Sequence, residues 1–549
     1  MNRRESETLK IRKAFLLLLP LIYFIISSYF RHLLGNLSLR SCDPEYIYFM
    51  SGLTMADGII KVGHFDNPGT PLQLLVALVF RIVYFIRSAP VSFVEDVFTH
   101  PDLYLGIVSQ TIAALTTLLL LYAGMKILRI TGNIAYALLI QTSVFLPVIW
   151  YDLIGRVTPE LLMPFPVILL IVLIVEVYSG KEKISIKQLL LFSLLSAFGM
   201  SIKLSFLPLW ILPFIIIDGW KRRFLFIGTS VVFFLIIALP MTLRIGIFSE
   251  WVKNLFLYSG QYGSGDTNIV DFTSLAVNLK ELWGYEKRFF YLFFTLIAVL
   301  GGYFLYFRRR TNKKIAWLAI AVIATISLQI IIVGKHYAHR YFIPALLLQP
   351  LMVFTLAEMI KKFFPGKTGN GLVYLGIALF FVWQIQFNRQ WLPIKTEVMG
   401  TDIENRLQTW HVAQSLEKDC YKIIASQNYG SPFIEYTLMY SIAWANNQKK
   451  AEYGEILGKL YPDTYNFFTW DNSMRFWGDK FNAEKAERSG KPIYLYLEQN
   501  DEELYNRTIS KLQEENGAQF ITERSLIFEN QATKEAIYRL DFLKPVDEN

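Results

Sequence analysis

The residues able to do chemistry gather first between Asp43 and Pro71, a stretch lying between two apolar segments that carries Asp43, Glu45, Asp57, Lys61, His64 and Asp66 among glycines and prolines. Charge held at the edge of a hydrocarbon phase costs free energy, so something must use it. A carboxylate such as Asp43, Glu45 or Asp66 is the kind of group that takes a proton from a hydroxyl. Further along stand three isolated cations, Arg156, Lys203 and Arg340, suited to an anion such as phosphate, Arg340 offering a planar fork. His336 and His339 are spaced i, i+3, open to metal ligation, but no carboxylate close in sequence completes a set, and interfacial polar residues are the ordinary reading. Tyr262 belongs to a glycine-rich segment, Tyr258 to Asp266, fit to line a substrate path or to act as a hinge. Singly, each has an ordinary role, a solvated loop for a carboxylate or snorkelling for a cation at a helix end. Glu95, Asp96 and Asp102 read as solvated charge.

The elements that must position these residues are membrane helices. Of 549 residues, 53% are hydrophobic and only 18% charged, against about 25% charged in soluble globular chains. Runs suited to helices fall at Ala14 to Leu34, Pro71 to Arg87, Leu103 to Leu128, Asn133 to Trp150, Glu160 to Tyr178, Gln188 to Ile202, Leu204 to Ile217, Phe224 to Leu243, Phe289 to Phe307, Ile315 to Val333, Tyr341 to Ile360 and Gly371 to Phe387. The net charge of +9 does not indicate nucleic acid, because Lys and Arg cluster in short loops between these runs rather than along a binding stripe. Cys42 and Cys420 show neither metal spacing nor a disulfide framework. The first run lacks a small-residue cleavage site and reads as a membrane helix rather than a removed signal.

Basic residues orient the chain. Arg3, Arg4, Lys10, Arg12 and Lys13 hold the N-terminus in the cytoplasm, which places the Asp43 stretch outside. If Pro71 to Arg87 crossed the membrane, the later clusters (Lys126/Arg129, Lys181 to Lys187, Lys221 to Arg223, Arg308 to Lys314, Lys361 to Lys367) would all fall outside; if it lies along the outer surface as an interfacial helix, all fall inside. The expectation is therefore about eleven spans plus one interfacial helix. Asp43 to Thr70, Arg156, Lys203, Arg244 to Glu286, and Lys335 to Arg340 then share the extracytoplasmic side. From about residue 391 to 549 the composition is ordinary, with β-like runs at Tyr421 to Ser426, Tyr465 to Trp470, Ile493 to Glu498 and Ala536 to Phe542 and helical periodicity over Asp501 to Glu515. The division expected is a transmembrane domain over 1–390 and a small extracytoplasmic α/β or α+β domain over 391–549.

An outer-face site has no nucleotide donor to hand. Group transfer there needs a donor arriving in the membrane, and lipid-linked phosphates are of that kind; such chemistry asks for cations on the phosphate, a carboxylate base and a groove for the tail.

In the order of its elements the chain resembles the GT-C superfamily of membrane glycosyltransferases, in the branch of protein O-mannosyltransferases and the aminoarabinose and Rgt-type lipopolysaccharide transferases. The motifs are Asp43-Pro44-Glu45-Tyr46 with Gly58, Phe65-Asp66-Asn67-Pro68 before the Pro71 helix, Arg156-Val157-Thr158-Pro159-Glu160, Gly199 to Lys203, and Arg340-Tyr341-Phe342-Ile343-Pro344. The resemblance covers about residues 10 to 390 and lies in the ordered set. It implies Asp43 as catalytic base, Asp66 as a second carboxylate near the acceptor or a metal, with Glu45 beside them, and Lys203 and Arg340, joined by Arg156, on the donor phosphate. His64, Tyr262, His336 and His339 are the substrate-lining candidates. Pro44 stands where the family has its second acid, leaving Glu45 one place later. The family has members with and without metal; no cofactor is required and a divalent cation stays open. The activity implied is inverting sugar transfer from a polyprenyl-phosphate donor to a lipid, glycan or protein acceptor, in a multi-pass protein of the plasma (inner) membrane, with no nucleic-acid partner. The rival readings are a polyprenyl-pyrophosphate oligosaccharide ligase or polymerase, and a transporter or flippase, for which repeated halves and midplane charges are missing.

Overall fold

A computed structural model describes residues 13–542 except 66, 181–182, 259–263, 266, 268–270, 307–312, 427–429 and 517–521. Asp66 and Tyr262 therefore lie outside the described residues. The chain forms two compact units, one of Met1–Phe30, Phe65–Leu72 and Ser109–Lys395, the other of Arg31–His64, Gln73–Val108 and Thr396–Asn549.

The architecture is mainly helical and polytopic, with a small α/β domain at the C-terminal end. Among the described residues, eight helices are long and apolar enough to cross a membrane: Lys13–Leu33, Thr70–Arg87, Pro101–Thr131, Pro159–Ser179, Phe272–Tyr306, Lys314–Lys335, His339–Phe363 and Lys367–Ser415. Other apolar runs are realised as shorter pieces. The run from Asn133 breaks into Ile134–Gln141, a 3-10 turn at Ser143–Phe145 and Trp150–Leu153, with Pro147 in the gap. Leu204–Trp210 is 3-10 and holds Pro208, and Ile211–Ile216 follows. A proline has no N–H to donate and its ring clashes with the preceding turn, so such runs cannot stay one straight helix. The breaks set short turns, and the turns carry the polar residues.

One close approach is decisive in the first unit. The helix Ile186–Ile202 ends at Lys203, whose backbone is extended (φ −163°, ψ 140°). The chain then reverses so tightly that a Cβ on Gly199 would stand 2.5 Å from the ring of Phe206. Only glycine admits that ring, and the reversal points the chain so that Lys203 stays within the protein, 6% exposed.

In the second unit six strands, β1 Tyr421–Ser426, β2 Thr464–Phe468, β3 Ser473–Phe476, β4 Ile493–Leu497, β5 Thr522–Glu529 and β6 Ala536–Phe542, form one sheet in the order β3-β2-β1-β4-β6-β5. β2, β1 and β4 run parallel, and β3, β5 and β6 pair antiparallel. Ile423, Phe467 and Leu495 pack with Leu504 and Leu512 on one face; Ile424, Phe468 and Tyr496 pack with Tyr436 and Met439 on the other. Covered on both faces, the central strands read as continuous apolar runs. The Asp43 stretch as far as His64 belongs to this unit: its helix Glu45–Ala56 packs on the helix Ile434–Ile442. The N–H of Gly63 donates to the carbonyl of Trp444 at 3.1 Å, an approach that leaves no room for a side chain at Gly63.

Candidate active site

In the helical unit two of the sequence-derived cations come together around a carboxylate. Glu160 lies in the 3-10 turn Pro159–Leu162, and its side chain is 2% exposed. Its Oε1 is paired with the ammonium of Lys203, and the same oxygen lies 3.7 Å from Nε of Arg340. Arg340 sits in the 3-10 turn His339–Phe342, its side chain 37% exposed. The ring of Tyr341 adds a second shared partner: Nζ of Lys203 is 4.5 Å and Cζ of Arg340 5.8 Å from its centroid. Both cations are thus held by protein groups before any ligand arrives. That is the preorganisation that lets a cation stabilise developing negative charge without first shedding a hydration shell.

A single buried amide ties the two turns together. Nε2 of Gln329, on the helix Lys313–Lys335, donates to the carbonyls of Ser205 (3.0 Å) and Tyr341 (2.9 Å), one beside each cation. Lys203, Arg340 and Asn67 border a cavity of about 340 Å³, whose other walls are largely apolar, among them Leu207, Phe248, Trp251, Leu255 and Val333. Lys335 and His336 also line it, and both hold the end of the helix Ile245–Leu257: Nζ of Lys335 donates to Phe256 O at 2.6 Å, and Nε2 of His336 to Leu255 O at 2.7 Å. A carbonyl partner requires His336 to carry its proton on Nε2. The arrangement suits a ligand with an anionic head and a hydrocarbon body.

The remaining candidates sort differently. Arg156, half-buried on the turn after Gly155, is not in the wall of this cavity. His339 is not either; its Nε2 is 3.0 Å from Oε1 of Glu286, which also accepts from the N–H of Val148 at 3.2 Å, and its ring stacks on Tyr285. The sequence neighbourhood of His339 holds no carboxylate for it, and the fold supplies one from 53 residues away.

Asp43, Glu45 and His64 lie in the other unit. Asp43 is half-buried, its N–H and carbonyl both bonded to the Ser41 hydroxyl (3.2 and 2.6 Å). Glu45 opens its helix and is 1% exposed, in the field of Arg31. The two acids thus occupy unlike settings, one near the surface and one inside. Burial first, then the charges of Asp43, Glu45 and Glu498, push the Cys42 thiol well above its ordinary range. Glu498, at the end of β4 and bonded to the Ser426 hydroxyl at 2.8 Å, is an acid in the Asp43 neighbourhood that sequence reading did not single out. His64 is packed edge-on between Tyr48 and Trp444. Asp57 pairs with Lys449 at 2.6 Å, so it anchors the stretch.

Two carboxylates read as solvated are instead inside. Asp96, 1% exposed, accepts two bonds from Arg87 (3.0 and 3.1 Å) and one from Tyr104 (2.5 Å). Asp102 accepts from the N–H of Leu37 (3.1 Å) and from Tyr46 (3.3 Å). Among the described residues no group of three His, Cys, Asp or Glu side chains is placed to hold a metal ion.

No family model and no curated protein matches the sequence. Among solved structures the chain is similar to ArnT from Cupriavidus metallidurans bound to undecaprenyl phosphate, at 10% identity and a TM-score of 0.49, over 96% of this chain and 97% of that one. It is also similar to the apo oligosaccharyltransferase of Archaeoglobus fulgidus, at 10% identity and a TM-score of 0.42, over 82% and 69%. At this identity the likeness is one of chain course.

Proposed function

We propose that the chain is an integral-membrane glycosyltransferase that moves a sugar from a polyprenyl-phosphate donor to a hydroxyl of a lipid, glycan or protein acceptor on the outer face of the membrane, with inversion. The observation that carries this reading is the cavity bordered by Lys203 and Arg340 and walled by apolar side chains, which suits an anionic head with a hydrocarbon tail. The acceptor oxygen attacks the anomeric carbon, its proton passes to a carboxylate, and the bond from the anomeric carbon to the phosphate oxygen breaks. The lipid phosphate leaves with one more negative charge than it had as the ester. Lys203 and Arg340 meet that charge, and because it grows along the reaction their contribution is larger in the transition state than in the ground state. Asp43 takes the proton and Asp66 supports the acceptor; these two roles are carried over from the motifs.

Membranes expressing wild type, Asp43→Asn and Lys203→Met, supplied with a panel of radiolabelled polyprenyl-phosphate sugars, test the reading. Wild type transfers from at least one donor, Asp43→Asn loses turnover while donor binding persists, and Lys203→Met lowers kcat as well as raising the donor KM. A folded Asp43→Asn protein that transfers as fast as wild type removes the base assignment; wild type inert toward every donor removes the reaction.

A further inference from the structure

We propose that a second cavity in the helical unit is a saccharide site that takes the hydroxyl-bearing headgroup of the acceptor, an inference resting on the transfer reaction proposed above only for the word acceptor. The cavity measures about 220 Å³, and its walls include Glu286, Lys287, Arg288, Gln349, Gln384, Gln390 and Trp391. It opens where the helix Phe272–Tyr306 leaves helical geometry at Glu286 (φ −115°, ψ 33°). Pockets for drug-sized ligands run to roughly 300–1,000 Å³, so this one suits a single ring.

The wall chemistry selects among small polar ligands. The carboxamides of Gln349 and Gln384 already donate to the carbonyls of Leu346 (3.2 Å) and Phe145 (2.6 Å), so they add to the wall chiefly as acceptor oxygens, which a hydroxyl uses and a phosphate, acceptor-only when ionised, does not. The acid in the wall argues the same way: Glu286 is 3% exposed and held by His339 and Val148, so it cannot swing away from an incoming anion. Arg288 is committed as well, donating to Trp383 O at 3.1 Å with its guanidinium 4.1 Å from the centroid of Phe387. The indole of Trp391 supplies an aromatic surface, whose negative face suits the C–H face of a pyranose.

Position adds to chemistry. The turn His339–Phe342 serves both cavities: His339 holds Glu286 in the wall of this one, and the next residue, Arg340, borders the cavity of the two cations. A headgroup held at Glu286 is thus tied through adjacent residues to the group that meets the phosphate.

Saturation-transfer NMR on the full-length protein in detergent, with free monosaccharides and inorganic phosphate as probes, tests the site without needing turnover. Ring protons of at least one monosaccharide are expected to be saturated in wild type and in Lys203→Met. The effect falls about five-fold or more in Gln390→Ala/Trp391→Ala, the size of a binding hot spot, and Trp391→Phe retains it. An unchanged thermal transition certifies the fold; if the double variant loses it, Trp391→Leu against Trp391→Phe decides. No saturation of any monosaccharide in wild type, undiminished binding in the folded variants, or displacement of the sugar by phosphate overturns the proposal. Saccharide binding here in a protein inert in every transfer assay would leave this site standing and remove the reaction, while transfer with no saccharide binding would do the reverse.

Discussion

Replacing Glu160 by glutamine tests whether one carboxylate positions both cations. The carboxylate is 2% exposed, and its partner Lys203 has a side chain 7% exposed. Removing one member of a buried pair costs about 3–5 kcal/mol, because the other charge is left inside without compensation. The arm to Arg340 is 3.7 Å long and reaches a side chain 37% exposed, so screening by water limits it to about 1 kcal/mol or less. A glutamine still accepts a hydrogen bond from Lys203, which places the expected loss of unfolding free energy near the lower bound, about 3 kcal/mol. The double variant Glu160→Gln/Lys203→Met removes both charges, so its cost falls short of the sum of the singles by about 2 kcal/mol. Denaturant unfolding in detergent measures that coupling. Donor KM separates two ideas of opposite sign: by charge count alone, losing an acid tightens binding of a phosphate, whereas loss of positioning weakens it, and a rise of about ten-fold is expected, equivalent to about 1.4 kcal/mol. A coupling below about 0.5 kcal/mol, or a donor KM that falls, refutes the reasoning.

Gln329→Leu leaves the carbonyls of Ser205 and Tyr341 without their shared donor; membrane hydrogen bonds average about 0.6 kcal/mol each, so a loss of about 1–2 kcal/mol is expected in thermal unfolding, with donor KM rising more than kcat falls. An unchanged melting temperature and KM would show that the two turns hold without it. At Asp96 burial raises the carboxyl, and the bonds and charge of Arg87 with the bond from Tyr104 outweigh it, leaving the group below its ordinary value. A depressed native value stabilises fully above the ordinary carboxylate range, about pH 4, and the gain is lost as pH falls through the native value. Asp96→Asn therefore lowers urea midpoints at pH 6 more than at pH 3, and an equal loss at both would contradict this. Cys42 and Cys420 are both free and buried, and burial pushes Cys420 up to about 11 and Cys42 well above its ordinary range. Maleimide at neutral pH should label neither until the protein unfolds and then both; rapid labelling of the native protein contradicts the packing.

How much was legible follows from where the signal lies. The helices could be read because a lipid-facing run announces itself in some twenty consecutive residues, and Lys203 and Arg340 could be read because each is an isolated cation at the end of an apolar run. β1, β2 and β4 lie close to their β-like runs because a strand covered on both faces is largely apolar, and β6 coincides with its run although Arg539 and Asp541 are exposed. β3 and β5 were not seen: β3 has only Ser473–Phe476, and β5 is a sheet-edge strand with an irregular register at Leu526/Phe528 and several charged residues. Glu160 closes a motif that assigns it no task, since its partner Lys203 lies 43 residues on and spacing says nothing of such a pair. Asp96 was read as solvated, yet Arg87 and Tyr104 are only nine and eight residues away. An arginine and a tyrosine flanking an acid within ten residues, in an otherwise apolar segment, was the available signal.

The acids of the apolar helices supply a rule that sharpens such readings. Charge in a nonpolar setting must find a partner, and in the helical unit Glu160, Glu176, Glu286 and Glu358 have done so, with Lys203 and Arg340, Lys126, His339, and Lys361 respectively. Pairing alone does not mark function, since all four are paired. The Lys126 and Lys361 partners come from the basic clusters between apolar runs, where lysines are plentiful, and Glu358 is further held by Tyr136 (2.7 Å) and Tyr178 (3.2 Å). Glu160 and Glu286 differ in what their pairs border: Lys203 and Arg340 line one cavity, and Glu286 itself lines the other. A buried acid therefore points to a site when its pair opens onto a cavity, and to architecture when tyrosines and lysines close around it. By that rule Glu358→Gln should lower stability and leave sugar transfer per folded molecule intact, whereas Glu286→Gln should reduce transfer beyond its effect on folding.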